Sequence, residues 1–305
     1  MARDPSHLLR AGATLALDAL TAELSDRLRA DGVRVIVLKG PALARSLYAG
    51  EGRTHEDIDL LVRPAMLEQA EAFLAREGFS FAAESSHARA WIRRQDGVTV
   101  DLHRTLLGVG IGADEAWEIL SVCVETIRLG RAEVEVFTDA GSAFHVALHA
   151  AQHGLKGAKS ANDLERALSQ FDGRTWEDAA ELAGRLEAVP GFAAGLRLLP
   201  QGASVAEGLS LPVGRPVETA LLAGSPPPAA LGLLKLRKTP GLRRKLLLLR
   251  DELAPPPAFM RALYPAARRG RVGLAASYAS RPARLLWQLV PAIRALRRAR
   301  RHVRE

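Results

Sequence analysis

The residues best suited to do chemistry are two acidic side chains in a short apolar segment. Asp57 and Asp59 stand two residues apart in the segment 57–62, whose other members are apolar. Because side chains alternate between the faces of a strand, both carboxylates should point the same way. Like charges on one face repel unless a cation lies between them, and carboxylate oxygens suit Mg²⁺ or Mn²⁺ better than zinc. The spacing therefore predicts a divalent-metal site, although an isolated Asp-x-Asp is more often a loop or cap feature.

A third carboxylate lies further along the chain, in the strand-like segment 98–103. Alternation places Asp101 and His103 on one face of this segment and three apolar side chains on the other. Three carboxylates can hold two divalent ions, which clamp a triphosphate and activate a hydroxyl for in-line attack. Asp101 is therefore the candidate that completes a triad with Asp57 and Asp59. His103 is a candidate to touch substrate or to orient a carboxylate, and the simpler alternative is a bond to a backbone group.

The segment 38–40, Leu-Lys-Gly, has the pattern of a strand end that runs through a glycine turn into a helix. Such a turn presents backbone N–H groups and a helix N-terminus to a phosphate. Lys39 and Arg53 are candidates for the positive charge that would meet a β- or γ-phosphate. The ordinary alternatives are a strand-end lysine and a surface arginine paired with Glu51 or Glu56.

A framework of alternating helices and strands must position these side chains. Periodicity predicts helices at 8–30, 41–48 and 64–77, and strands at 33–38, 57–62, 79–83, 90–94 and 98–103. Asp96-Gly97 predicts a tight hairpin turn before the last of these strands. After Asp139 the pattern is almost wholly helical, with Pro/Gly-rich joints at 199–202, 224–228 and 255–257. We therefore expect a catalytic domain at 1–140 and a helical domain with a basic C-terminal part at 141–305.

Three runs of residues resemble a known family: Leu-Lys-Gly-Pro-Ala-Leu-Ala at 38–44, Arg-Thr-His-Glu-Asp-Ile-Asp-Leu-Leu-Val at 53–62, and Val-Asp-Leu-His at 100–103. In this combination and order they are similar to the uncharacterised nucleotidyltransferase family of the DNA polymerase β-like nucleotidyltransferase superfamily. Fainter similarity continues at 145–153, 163–164, 263–265 and 278–281, so the resemblance covers most of the chain.

The resemblance implies an α+β fold, with a small mixed β-sheet nucleotidyltransferase core and helices, followed by a mostly α-helical C-terminal lobe. It implies that Asp57 and Asp59 bind Mg²⁺ or Mn²⁺, and that Asp101 is the third metal-binding carboxylate and the general base. The superfamily's phosphate-binding turn usually reads Gly-Ser or Gly-Gly. Here Gly40 is followed by Pro41, which has neither an N–H nor a hydroxyl to donate, so Lys39 or Arg53 would have to supply the missing contact.

The predicted activity is metal-dependent transfer of a nucleoside monophosphate from an NTP to an acceptor hydroxyl, with release of pyrophosphate. The helical domain would shape the acceptor site, and nothing in the sequence distinguishes a small molecule, a peptide, a protein or an RNA 3′ end as acceptor. Two alternatives stay open. One is an RNA-directed, toxin-like nucleotidyltransferase, and the other is a non-catalytic binding protein that keeps the fold, which the Gly-Pro turn suggests.

Charge is distributed unevenly along the 305 residues. The formal net charge is +8, yet the residues from Ala230 onward include 19 basic and 3 acidic side chains. Such a basic segment could bind nucleic acid or an anionic membrane, or it could be an ordinary solvated surface. For the stretch 283–301, which is apolar first and basic last, we expect a docking helix with a basic tip.

The remaining features constrain the setting more than the chemistry. A single cysteine, Cys123, cannot form an intramolecular disulfide, and charged residues interrupt the N-terminal apolar residues, so we expect a cytoplasmic protein without a signal peptide or a transmembrane segment. His145, His149 and His153 fall on one helical stripe. No glutamate lies between them to act as a base, so we expect them to line a cleft or to pack on the helical domain rather than to bind zinc.

Overall fold

A computed structural model describes residues 5–48, 53–85, 87–154, 157–213, 228–238, 241–255, 257, 260 and 264–302. Within this part of the chain seven strands form one sheet: Val35–Val37 (β1), Asp57–Val62 (β2), Phe79–Glu84 (β3), Ala88–Arg93 (β4), Val98–His103 (β5), Val124–Leu129 (β6) and Ala132–Phe137 (β7). Their order across the sheet is β3-β4-β5-β2-β1-β7-β6. The pairs β2–β5 and β1–β7 are parallel and the other neighbours are antiparallel, so the sheet is mixed.

Helices cover the sheet, and helices are also the main elements described after its last strand. Those before the last strand are Pro5–Ala30 (α1), Pro41–Tyr48 (α2), Leu67–Arg76 (α3) and Ala113–Leu120 (α4). Those after it are Asp139–His153 (α5), Ala158–Gln170 (α6), Gly173–Arg185 (α7), Val189–Leu196 (α8), Pro200–Gly208 (α9), Pro228–Lys238 (α10), Leu242–Leu253 (α11) and Gly270–His302 (α12). Short 3₁₀ turns precede α3 and α12. A mixed sheet followed by a helical half confirms the predicted α+β fold.

Most elements near the candidate residues begin and end where the sequence pattern predicts. α2, β2 and β5 have the predicted bounds, and Gly97 adopts the positive φ expected of the hairpin turn. The strand predicted at 33–38 is shorter, at Val35–Val37, and α9 begins at Pro200 inside the joint predicted at 199–202. The joints predicted at 224–228 and 255–257 fall partly outside the described residues. The strands β6 and β7 were missed by the sequence analysis.

The sheet is packed on both faces. Leu24 of α1 and Phe73 of α3 belong to the apolar cluster on one face, together with Ile58 of β2. The opposite face carries Leu61 of β2, which packs in a second cluster with α5 and the helices that follow it. Phe144 of α5 is among the largest fully buried side chains of that cluster. The side chains of β2 therefore alternate between two apolar clusters, one on each face of the sheet.

The last helices share a small apolar cluster. Leu233 of α10 packs against Ala292, Leu296 and Ala299 of α12 in a third apolar cluster. Several large apolar side chains of α11 and α12 are nevertheless exposed. Of the helices that the structure describes, none combines the length and apolar character needed to cross a bilayer.

Candidate active site

The acidic strands β2 and β5 lie side by side and run parallel, with Asp59 opposite Asp101. Neighbouring side chains of a parallel pair point to the same face of the sheet, so the two carboxylates are adjacent. Asp57 lies two residues before Asp59 on the same face, and His103 lies opposite Leu61. Because Leu61 packs in the cluster that contains α5, the predicted acidic residues all face the helical side of the sheet.

Asp59 is the centre of the site and is almost completely buried. Its Oδ1 accepts a hydrogen bond from Lys39 Nζ at 2.9 Å and another from His103 Nε2 at 2.9 Å. Burial alone would raise the pKa of the Asp59 carboxyl, but the charge of Lys39 and the hydrogen bond from His103 lower it well below its usual value. Asp59 is therefore ionised at neutral pH, and Lys39 and His103 both contact the carboxylate predicted to bind metal.

Asp101 is the more exposed partner of this pair. Burial raises the pKa of its carboxyl, and the negative charges of Asp59 and Asp57 raise it further. Asp57, two residues before Asp59, thus contributes to the raised pKa of the Asp101 carboxyl. Asp101 is thus repelled by both other carboxylates of the predicted triad.

Potential metal ligands converge at this point of the sheet. One ligand atom each from Asp59, Asp101 and His103 lies within 4.8 Å of the other two. Asp59 Oδ2 and His103 Nδ1 are buried and have no hydrogen-bond partner among the described residues. A buried carboxylate oxygen without a partner is unfavourable, and a cation would satisfy it. The donor set therefore fits a divalent metal, and its carboxylate oxygens are those that Mg²⁺ and Mn²⁺ prefer.

Gly40 forms the turn between β1 and α2 in a left-handed conformation, with φ of +59°. A Cβ atom at this position would lie 3.0 Å from the ring of His55, so both the backbone conformation and the close approach require glycine. His55 is buried, and its Nε2 lies 3.2 Å from Asp18 Oδ1. The turn places Lys39 beside Asp59, and α2 begins at Pro41, directly after the turn.

Arg53 lies in a buried ion pair rather than in a solvent-facing position. Its Nε and Nη2 donate to the two carboxylate oxygens of Asp163 on α6, at 2.9 and 2.8 Å. Tyr48 of α2 donates to the same carboxylate at 2.7 Å. Burial and this hydrogen bond raise the pKa of Tyr48 to about 12. A surface pair of Arg53 with Glu56 is not seen, because Arg53 is buried and Glu56 pairs with Lys159 at 3.1 Å. Glu51, the other predicted partner, lies outside the described residues.

The histidine stripe of α5 runs from the core to the surface. His145 is buried, His149 is half-buried and His153 is exposed. Their rings follow one another with centroids 6.0 and 4.5 Å apart. Burial, with a contribution from the charge of Lys39, lowers the pKa of His145 to about 3 and that of His149 well below its ordinary value. These histidines are neutral, and none of them joins the metal-ligand group found among the described residues.

The sequence analysis missed His87, and it missed the role of Asp163, which entered only through the family resemblance at 163–164. His87 lies directly before β4, with its ring centroid 5.5 Å from that of His103, and burial lowers its pKa to about 4. The antiparallel pairing of β4 with β5 was the available signal, because it places Ala88 opposite His103. The role of Asp163 as the partner of Arg53 had no such signal, since 110 residues separate the two.

Comparison with known proteins defines the class to which this fold and site belong. The family described as "Uncharacterised nucleotidyltransferase" matches residues 5–201. This range includes the whole sheet, the acidic site and the helices α5 to α8. The chain belongs to this family, as the sequence motifs predicted.

Solved structures give a more distant likeness. The antibiotic-resistance factor ANT(2'')-Ia is 14% identical and matches 58% of this chain and 94% of its own, with a TM-score of 0.40. An antigenic nucleotidyltransferase-like protein from Paracoccidioides brasiliensis is 15% identical and matches 63% of this chain and 92% of its own, also with a TM-score of 0.40. No curated protein matches the chain.

Proposed function

We propose that this protein transfers a nucleoside monophosphate from an NTP to an acceptor hydroxyl, in a reaction that requires Mg²⁺ or Mn²⁺ and releases pyrophosphate. The observation that carries the proposal is the parallel pairing of Asp59 with Asp101, beside Asp57 on the same face. Family membership supports the same class of reaction. The catalytic domain would span 1–140 and the helical domain 141–305.

In the proposed reaction the acceptor oxygen forms a bond to the α-phosphorus of the NTP. The bond from that phosphorus to the oxygen bridging the α- and β-phosphates breaks, and pyrophosphate leaves with the electron pair. A bound divalent ion would neutralise the triphosphate and would be held by Asp57, Asp59 and Asp101. Asp101 would also take the proton of the acceptor hydroxyl, because its carboxylate is the more exposed of the central pair.

The residues around the carboxylates have separate roles in this proposal. His103 holds Asp59 in place through the 2.9 Å hydrogen bond. Lys39 would move from Asp59 to a β- or γ-phosphate of the bound NTP, and the Gly40 turn would place the first turn of α2 near the same phosphates. Arg53 would act at a distance, because its guanidinium holds α6 against the segment that leads into β2.

The test is thermal stabilisation of the purified protein by each of the four NTPs with Mg²⁺ or Mn²⁺. A ligand that binds only the folded state at 100 times its dissociation constant adds about 2.7 kcal/mol. We expect metal-dependent stabilisation in the wild type and its loss in Asp59→Asn and Asp101→Asn. Asp26→Asn, at an exposed position of α1, is the matched control and should behave as the wild type. Stabilisation that persists in both site variants would disprove the proposed role of the carboxylates.

One observation favours a second candidate, a nucleotide-binding protein without catalytic turnover. Lys39 already neutralises Asp59 without a metal ion. In addition, Pro41 has no N–H to donate in the turn after Gly40. This candidate predicts NTP stabilisation that does not need a divalent metal, and no pyrophosphate release with any acceptor. An acceptor screen that follows pyrophosphate release separates the two candidates.

A further inference from the structure

The C-terminal helices expose an apolar surface that the proposed nucleotidyl transfer does not use. On α11 the exposed leucines are spaced by four, three and four residues, as one face of a helix requires: Leu242, Leu246, Leu249 and Leu253. On α12 a second exposed apolar stripe consists of Leu286, Trp287, Val290 and Ile293. Trp287 is the extreme case, with 85% of its surface accessible. Side chains of this size are rarely exposed together without a partner.

The two stripes meet at a cleft. Leu249 and Leu253 of α11 line it together with Leu286 of α12 and apolar side chains of α10. Its volume is about 290 Å³. The exposed leucines of α11 and the stripe of α12 therefore form one apolar surface rather than two separate patches.

Basic side chains accompany this surface. The segment of α12, 270–302, contains eight arginines and no acidic residue. The exposed Arg294 and Arg297 follow the apolar stripe, and at the 100° rotation of successive helical residues they lie on the same side of α12 as Leu286 and Val290. The buried Ala292, Leu296 and Ala299 lie on the other side, against α10. An apolar stripe flanked by arginines on a helix is the pattern of binding in the plane of an anionic membrane.

We infer that the exposed apolar side chains of α11 and α12 form a surface that binds a bilayer with anionic headgroups. Leu286, Trp287 and Val290 would enter the boundary between headgroups and acyl chains, and Arg294 and Arg297 would meet the lipid phosphates. A nucleic-acid surface of this charge would expose aromatic or polar side chains for bases and phosphates, whereas the exposed residues here are mainly aliphatic. The inference is independent of the nucleotidyl transfer, because this surface lies outside the residues that match the family.

The test uses the full-length protein and sedimentation with vesicles of phosphatidylcholine alone or of phosphatidylcholine with phosphatidylglycerol. We expect binding to the anionic vesicles that weakens with added salt, and a blue shift of tryptophan emission, since Trp117 and Trp176 are buried while Trp287 is exposed. Trp287→Ser should weaken vesicle binding about tenfold, which corresponds to about 1.4 kcal/mol. Val122→Ser, at a site 70% exposed in the connection between α4 and β6, should leave it unchanged.

Circular dichroism of both variants verifies that they are folded. Absence of binding to anionic vesicles by the wild type would overturn the inference, and so would equal losses in the two variants. Binding of a uridine oligonucleotide without vesicle binding would also overturn it, and would assign the surface to nucleic acid instead.

Discussion

Lys39 Nζ lies 2.9 Å from Asp59 Oδ1, so the lysine beside the glycine turn neutralises the carboxylate at the centre of the acidic cluster. Asp59 is buried, and its partner is mostly so, with 18% of the Lys39 side chain exposed. An ion pair of this kind gives Asp59 a positive partner when no cation is bound. A metal ion bound at Asp59 would therefore compete with the lysine for this carboxylate.

Lys39→Met should have opposite effects on the two ligands of the site. Removal of the ammonium frees Asp59, so we expect Mn²⁺ alone to bind about tenfold more tightly, while NTP in the presence of the metal binds about tenfold more weakly. Free Mn²⁺ measured by electron paramagnetic resonance gives the first quantity, and calorimetry gives the second. Lys159→Met, which breaks the exposed pair with Glu56, is the control and should change neither. If both affinities fall together, competition between lysine and metal is ruled out.

Arg53→Ala should destabilise the fold more than it affects nucleotide binding. The substitution leaves the buried Asp163 carboxylate with Tyr48 alone, and breaking a buried pair costs about 3–5 kcal/mol. Arg53→Lys should rescue little, because lysine cannot make the two parallel hydrogen bonds. Urea unfolding measures both. Arg63→Ala, which breaks an exposed pair with Glu118, should cost less than about 1 kcal/mol.

A stable Arg53→Ala protein that has lost NTP binding would instead place Arg53 at the phosphates. The two results are distinguishable because unfolding is measured without nucleotide.

Gly40→Ala should cost more than the same change at another glycine of positive φ. Gly32 has φ of +80° and no atom near the added Cβ, so Gly32→Ala reports backbone strain alone, about 1–2 kcal/mol. At Gly40 the Cβ also meets the ring of His55 at 3.0 Å, which adds to the strain. Thermal unfolding compares the two variants. In a His55→Ala background, adding Gly40→Ala should cost no more than Gly32→Ala does, and a larger added cost would show that the ring contact is not the cause.

His145 should make the protein less stable as the pH falls. Its pKa is about 3 in the fold and near 6.5 in the unfolded chain, so between these values only the unfolded state takes up the proton. The contribution of neutral His145 is complete above pH 6.5 and is lost progressively below it, by about 1.4 kcal/mol per pH unit, or roughly 2 kcal/mol at pH 5. The measurement is the free energy of unfolding in urea between pH 5 and 8.

His145→Gln should flatten this pH dependence, whereas His153→Gln, at the exposed end of the stripe, should change it less. An unchanged slope in His145→Gln would mean that His145 is protonated in the folded protein. A slope of similar size lost in both variants would contradict the assignment to the buried histidine.

The shared face of the acidic side chains could be predicted from the sequence because its signals are local. Alternation in 57–62 and 98–103 fixes which side chains share a face, and the glycine after Lys39 fixes the turn. The partner of each strand is not local information. β5 lies beside β2 only because the three antiparallel strands β3, β4 and β5 pack onto the edge of β2. No short segment of the sequence specifies this pairing.

The strands β6 and β7 show a different kind of miss. Glu133 and Glu135 alternate with Val134 and Val136, so β7 carries a strand pattern that was available in the sequence. Its place beside β1, in parallel orientation, was not. The ion pair of Arg53 was also not available from local sequence, because its buried partner Asp163 comes from a helix distant in sequence. Local periodicity describes elements, whereas long-range pairing of charges and strands depends on the assembled fold.

The parallel alignment of β2 with β5 has a consequence for how this chain can change in length. The distance between Asp59 and Asp101 is set by the backbone hydrogen bonds between β2 and β5. The intervening segment, which contains α3, β3 and β4, connects the two strands. Residues can be gained or lost in the loops of this intervening segment without moving either carboxylate. A single residue inserted within β5 before Asp101 would instead turn that carboxylate to the opposite layer of the sheet, under α1 and α3. Length variation is therefore tolerated between the two strands and excluded inside them.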